Sequence, residues 1–511
     1  MTNPTAIVRS LMIWAFIVPV GLVLGYSLPD LTNLEVDGFM VFGLAVLLMM
    51  TPLLLKYHHP WLLLSWNMSA VIFFVPGRPF LWMAMTGISL VIGVLQRTLN
   101  PEKHFISAPS LTQPLIALAL IVMIVAKLTG GLGMASIGSD VVGGKRYVWI
   151  WGAILGYFAI SSREIPRNKA MLYVGLFFLG GVTMAIGNLF GVLSKGFTWL
   201  FLIFPAENVI DTESGDGMII RSWALPFMSI AVYCAMMAKY GLRGCFDLRS
   251  PWRIVVLGSF LFIGMMGGFR TMVVILALTT AIMFYLEGLV RSRFFPAVIL
   301  TLVLGGTMAA VFANHLPLSV QRSLAVLPLD IDPVVKMDAQ GSSEWRVQMW
   351  RNLLPEIPDH LILGKGYGVT ATDINVMYQT IRTASRTAGA EMVGDYHNGP
   401  LSVILPLGVP GALIFLWFAF ASVRAMYLNY KHGAPELALI NRFLFAYYLA
   451  RIIFFFAVFG SLYSDLAMFT GVLGLSVSLN GGIAKRARET AAEPVASTFK
   501  FNPGERRIVN A

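Results

Sequence analysis

The stretch DYHNGPLSVILPLGVPGALIFLWFAFA, Asp395 to Ala421, decides the fold class. From Leu401 to Ala421 it carries no charge, and about 20 such residues are what a helix needs to cross a bilayer. A helix on the surface of a soluble protein would show a polar stripe along one side; this one has none. His397 and Asn398 stand directly ahead of the apolar run, so a titratable group sits at the lip of a span. Two readings are open for His397. It either starts the helix beside a capping asparagine, or does chemistry on something lying at the membrane surface.

Comparable apolar runs recur through all 511 residues, of which 57% are hydrophobic and only 12% charged. A soluble protein of this size could not cover so much apolar surface. Spans are expected at 10–28, 38–55, 60–76, 79–95, 114–129, 147–161, 170–188, 222–238, 254–268, 271–288, 294–313, 399–421, 437–458 and 461–480. The fold class is thus an all-α polytopic membrane protein with about 12–14 transmembrane helices. Lys195 and Gly196 interrupt the stretch 189–205, which reads as an interfacial or re-entrant piece. Arg9 precedes the first apolar run and no small-residue cleavage site follows it, so that run reads as a retained span.

Basic residues in short loops set the expected orientation. Arg97 and Lys103 share one loop; Arg163, Arg167 and Lys169 another; Lys239, Arg243, Arg249 and Arg253 a third; Arg291 and Arg293 a fourth. Lys485, Arg486 and Arg488 lie in the tail. With both termini cytoplasmic, alternation puts all of these inside. The acidic run Asp211 to Asp216 falls outside, and Lys145-Arg146 is the one basic exception there. The chain then divides into an N-terminal transmembrane bundle (1–313), a large periplasmic loop (314–398), C-terminal transmembrane helices (399–482) and a disordered cytoplasmic tail (483–511).

Several classes fall away. The net charge of +11 is spread over short loops, which is no nucleic-acid footprint. No phosphate loop of the GxxxxGK[ST] type occurs, so no ATP-driven machinery is expected. Cys234 and Cys245, the only two cysteines, are not expected to pair. The outer histidines His315, His360 and His397 are dispersed, so no metal site and no cofactor are expected. No GxSxG elbow supports serine hydrolysis.

Within the outer segment, Ser342 to Pro355 reads as a helix, with Ser342 or Ser343 as its cap and Glu344 in its first turn. Arg346 and Trp350 are four apart and share a face, where the arginine can stack on the indole or act on a ligand. The glycines of Leu363-Gly-Lys-Gly-Tyr-Gly368 suit either a tight turn or a close approach to an anion. A second amphipathic stretch, 370–388, carries Arg382 and Arg386. Arg221 and Arg270 are placed at the outer membrane–water boundary, the latter in Gly267-Gly-Phe-Arg270. Each either snorkels to that boundary or binds phosphate oxygens with its planar fork.

Three features together carry a resemblance. They are Arg346-x-x-x-Trp350, the turn Leu363 to Gly368, and His397-Asn398 followed by a span with Leu401, Leu405, Gly408 and Gly411. The chain resembles the O-antigen ligase and O-antigen polymerase superfamily of bacterial envelope glycosyltransferases, most closely over roughly 220–415. Gly143-Gly144 and Phe269-Arg270 also look like family features, although Phe269 stands where many relatives have a serine. The resemblance implies a metal-independent, inverting glycosyl transfer at the periplasmic face of the bacterial inner membrane. The donor would be a glycan on undecaprenyl diphosphate. The acceptor would be a sugar hydroxyl, on the lipid A core (ligase) or on a second lipid-linked glycan (polymerase). His397 would be the general base, with Arg270 and Arg221 neutralising the leaving diphosphate. Arg346, Trp350, Asn398 and Asp395 would bind substrate or orient the histidine. A transporter reading would draw on Arg442 and Arg451 in a late span, and an envelope scaffold is a third reading.

Overall fold

The computed structural model describes residues 49–73, 75, 77–100, 105–132, 143–187, 200–205, 209–214, 217–292, 294–369 and 394–485. The expected span at 10–28, most of that at 38–55, most of 189–205, Arg382, Arg386 and nearly all of the tail lie outside them.

The described chain is helical. Helices α1 (Thr51–Ser65), α2 (Leu81–Leu99), α3 (Pro109–Leu128), α4 (Lys145–Ile160) and α5 (Ala170–Leu179) lead to a hairpin of β1 (Val209–Ser214) and β2 (Gly217–Ser222). Then come α6 (Ala224–Cys245), α7 (Trp252–Met265), α8 (Arg270–Leu286) and α9 (Phe294–Phe312). Two helices of the segment 314–398 follow, α10 (Leu318–Leu324) and α11 (Pro333–Leu353), and finally α12 (Gly399–His432), α13 (Ala438–Ala457) and α14 (Leu462–Leu479). Among the described residues eight helical segments are long and apolar enough to cross a membrane, and α7 and α8 are shorter apolar helices. The chain is an all-α polytopic membrane protein.

Three local expectations need correction. The span expected at 60–76 lies earlier, as α1, and ends at Ser65. Beyond it Gly77 and Arg78 take left-handed backbone, and Val71 pairs with Phe80, so the chain turns there. The acidic segment ahead of Arg221 is an antiparallel hairpin that sets Arg221 opposite Ile210, so Arg221 lies on a strand before the span. The outer helix starts at Pro333, well before Ser342. Asp332 caps it by accepting from the Val334 amide at 2.8 Å, and proline suits its first position. Ser342, Ser343 and Glu344 are therefore mid-helix, and Gly341 is tolerated because Val335, Ala339, Met349 and Leu353 bury one face.

Helix α12 is broken, and the glycine turn repairs it. Pro410 has no amide to bond the Pro406 carbonyl, and Gly408 sits at φ +68° inside the helix. The amides of Lys365 and Gly366 donate to the Leu405 and Pro406 carbonyls at 2.8 and 3.0 Å, while the Val409 amide donates to Leu361 O at 2.7 Å. Gly364, at φ +79°, lies so close that a Cβ would meet Pro406 O at 2.3 Å. Of the two uses open to these glycines, the structure takes the turn: the amides of Lys365 and Gly366 within it satisfy a helix break, not an anion.

Charged loops collect at one end of the bundle. Arg167 pairs with Glu436 at 3.8 Å, Ser478 donates to the Arg163 carbonyl, and Glu287 accepts from the Leu242 and Arg243 amides. The opposite end holds the N-termini of α4, α8, α12 and α14 together with α10 and α11. There the Tyr147 hydroxyl accepts from the Tyr367 amide at 2.9 Å, and Arg146 lies 5.1 Å over the Tyr463 ring. The exceptional pair Lys145-Arg146 therefore shares the end of the outer segment. Cys234 and Cys245 are both buried and free.

Candidate functional site

The site is built around the turn between α7 and α8. Gly268 takes φ +74°, letting the chain reverse within a few residues, and Arg270 opens α8. A cation at a helix N-terminus opposes the dipole, and no acidic side chain in that first turn offsets it. The guanidinium is held from above instead: one terminal nitrogen donates to Ala339 O at 3.1 Å and to Ser343 Oγ at 3.4 Å, both on α11. Alongside, the Ser222 amide donates to Gly267 O at 3.2 Å and ties β2 to the turn. This brings Arg221 to 4.6 Å over the Phe269 ring, which itself packs on Trp223 at 3.9 Å between centroids. Phe269 thus serves as a platform under Arg221. Stacking uses the flat face of the guanidinium and leaves its hydrogen-bonding edge for oxygens.

Two further arginines complete the cluster. Arg322, on α10, is 2% exposed and bonds Asp338 through Nε, Gly268 O through Nη1 and Ser342 Oγ through Nη2. Arg346, on α11, lies 5.5 Å over the Phe459 ring. Burial pulls the Arg221 pKa down to about 10, with Arg322, Arg346 and Arg270 adding repulsion and Asp338 opposing it. Burial likewise lowers Arg346, with Arg270 and Arg322 adding to the effect and Asp395 opposing it. Arg221 remains protonated at neutral pH, so this is a concentration of positive charge with few countercharges. The Nε atoms of Arg221 and Arg346 are buried with no hydrogen-bond partner in the protein. Buried charged donors are expensive to leave unpaired, and an anionic ligand would pair them.

His397 sits beside this cluster. Its backbone takes φ +50°, a conformation uncommon outside glycine and costing on the order of 1–3 kcal/mol where it is strained. The ring lies between Trp345 and Phe459, at 5.3 and 5.0 Å between centroids. Nδ1 is 3.5 Å from Asp395 Oδ1, close enough for an ion pair but not a formed hydrogen bond. Burial lowers the His397 pKa; Asp395 works against that shift and Arg346 adds to it. The imidazole is therefore neutral at neutral pH and able to accept a proton. Asn398 caps α12, its side-chain oxygen accepting from the Leu401 amide at 3.1 Å. The Trp350 indole donates to Tyr396 O at 2.8 Å. Asn398 and Trp350 thus hold the backbone on either side of His397, through the amide oxygen of one and the indole N–H of the other.

Beneath the histidine a cavity of about 420 Å³ runs into the bundle. Asp395, His397 and Phe459 line it with Trp149, Trp223 and Phe269. Arg451 also lines it, paired with Asp465 at 2.7 Å, while Asp465 accepts from the Ser461 amide at 2.9 Å. Arg451 is thus paired with a carboxylate at the head of α14. Among the described residues no three His, Cys, Asp or Glu side chains gather as metal ligands.

The structure brings Arg221, Arg270 and Arg346 together and sets His397 and Asp395 beside them. Arg322 and its partner Asp338 escaped sequence reasoning. Arg322 sits in the short run Leu318-Ser-Val-Gln-Arg-Ser-Leu324, which resembles any exposed amphipathic turn until the turn at Gly268 packs over it.

Residues 245–416 match the protein-family model described as O-Antigen ligase. That stretch belongs to the O-antigen ligase and polymerase superfamily. The matched residues carry Arg270, Arg322, Arg346, Asp395 and His397; Arg221 precedes them and joins through β2. The O-antigen ligase match, over about a third of the chain, supports a membrane enzyme of ligase or polymerase type in polysaccharide biosynthesis. No curated protein matches the chain.

Proposed function

We propose that the protein is an O-antigen ligase-like, inverting, metal-independent glycosyltransferase. It moves a glycan from undecaprenyl diphosphate to a sugar hydroxyl at the periplasmic face of the inner membrane. The observation that carries this reading is the pairing of buried arginine donors lacking protein partners with a neutral histidine at the mouth of a bundle cavity. The arginines suit a lipid diphosphate, which is anionic, membrane-bound and a good leaving group.

In the proposed step the acceptor hydroxyl attacks the anomeric carbon from the side opposite the diphosphate. Its proton passes to His397, whose Nδ1 faces Asp395 and leaves Nε2 for the transfer. The bond from the anomeric carbon to the diphosphate oxygen breaks, and the electron pair leaves on that oxygen. Arg221, Arg270 and Arg346 stabilise the charge that gathers there, a preorganised electrostatic effect. Asp395 stabilises the imidazolium.

Purified protein given an undecaprenyl-diphosphate-linked glycan and a lipid A core acceptor, with a chelator present, tests the reading. Transfer with inversion at the anomeric carbon is expected. Joining of two lipid-linked glycans instead would make it a polymerase, and activity lost on chelation and restored by a divalent ion would remove the metal-independent mechanism.

A further inference from the structure

We propose that Arg322 is a positioning residue that fixes the spacing between Arg270 and Arg346; the proposal rests on the lipid-diphosphate reading above. Arg322 itself is committed to the protein. All three of its nitrogens are bonded: Nε to Asp338, Nη1 to the Gly268 carbonyl, and Nη2 to Ser342 Oγ at 3.1 Å. Its side chain is 3% exposed and that of Asp338 is 7% exposed, so neither is available to a ligand as it stands.

What Arg322 joins is informative. Gly268 belongs to the turn that launches Arg270 two residues later. Asp338 and Ser342 are on α11, four residues apart, and Arg346 follows four residues after Ser342. Residues at that spacing share a helix face, so gripping Asp338 and Ser342 sets the rotation at which α11 presents Arg346. Arg270 repeats the same junction from the other side, through Ala339 O and Ser343 Oγ. Next along α10, Ser323 donates to Met265 O at 2.7 Å and pins the end of α7. One buried guanidinium therefore connects the turn carrying one ligand-facing arginine to the helix carrying another. A planar fork can do this; an ammonium on a flexible stem holds fewer partners at fixed angles. The carboxylate of Asp338 offsets part of the repulsion that Arg322 adds beside Arg221 and Arg270.

The test uses the full chain in nanodiscs with geranylgeranyl diphosphate as the probe. Arg322→Gln and Arg322→Lys are compared with wild type for affinity. Spin labels at Gln348 on α11 and Phe262 on α7 report the position of the helix. Arg322→Gln is expected to weaken binding about tenfold, the scale of coupling inside one bonded network, and to broaden the distance distribution. Arg322→Lys retains the Asp338 pair, carries the test should Arg322→Gln fail to fold, and is expected to show the same two changes in milder form. Arg221→Lys is the contrast, since Arg221 rests on Phe269 and takes no part in the junction with α11: weaker binding with an unchanged distance. Wild-type affinity and distance in both Arg322 variants overturn the positioning role alone. Lost affinity with an unchanged distance also overturns it, by making Arg322 a direct ligand contact. A wild-type protein that binds no prenyl diphosphate overturns the functional reading on which the proposal stands.

Discussion

Burial of the His397 ring disfavours its positively charged form. That is the basis of a pH prediction. The base form is neutral, so transfer is lost as pH falls through the folded-state pKa, which burial puts below the usual histidine value of about 6.5. Asp395→Asn removes the neighbour that favours the charged form, so the acid limb of the rate profile moves to lower pH. Arg346→Gln removes a repelling charge and moves the limb to higher pH, whatever it does to the plateau. Rate profiles of the two variants that shift in the same direction would contradict the assignment. His397→Asn should lose about 10²–10⁴ in rate with insertion intact, far beyond what a lost helix-start contact gives, and full activity would make the histidine structural. Arg270→Lys keeps the charge and loses the fork, so transfer should drop strongly at normal protein level. The residues Arg221, Arg270, Arg346 and His397 were legible in sequence because each is a polar group in an apolar or motif-bearing context. Arg322 was not, since nothing in its local sequence says that it is buried.

Element boundaries were legible where composition alone decides them and illegible where a neighbour does. The late spans α13 and α14 fall where apolar runs predict them, and α12 starts where expected but runs on past residue 421 to His432. Helix α11 does not start at its serines, because Asp332-Pro333 is a stronger start and the buried face extends back to Val335. The hairpin holding Arg221 depends on a pairing that no periodicity over so few residues announces. The glycine turn at Leu363 to Gly368 had two sequence readings, and only its partner, the broken helix α12, separates them. This joint makes a prediction of its own. Gly364→Ala forces a Cβ to 2.3 Å from the Pro406 carbonyl at a positive φ, which should destabilise the fold by roughly 2 kcal/mol or more. Thermal unfolding in detergent should show a clear drop, and an unchanged Tm would mean that the turn can move away from the helix. Asn398→Ala is the milder counterpart, since a lost N-cap costs about 1 kcal/mol.

At the scale of the whole molecule, the two ends of the bundle are chemically different. One end gathers Arg163, Arg167, Lys169, Arg243 and Arg253 in short connections, pinned by Glu436, Glu287 and the Gly244 carbonyl. The other holds the cavity mouth, the arginine cluster and the helices of the outer segment. Lysine and arginine in short loops are retained on the cytoplasmic side during insertion, so the proposed orientation puts the cluster in the periplasm. A glycan carried on a membrane lipid would then meet the arginines from the bilayer and His397 from the aqueous side. Single cysteines at Gln340, on α11, and at Arg249, between α6 and α7, distinguish the ends. Both positions are exposed, and the native Cys234 and Cys245 are buried. An impermeant thiol reagent applied to intact spheroplasts should label Gln340→Cys and leave Arg249→Cys unmodified until the membrane is permeabilised. The opposite pattern would put the basic loops outside and the site in the cytoplasm. There an undecaprenyl diphosphate would carry its glycan only before translocation, so the donor assigned to this site would have to change along with the orientation.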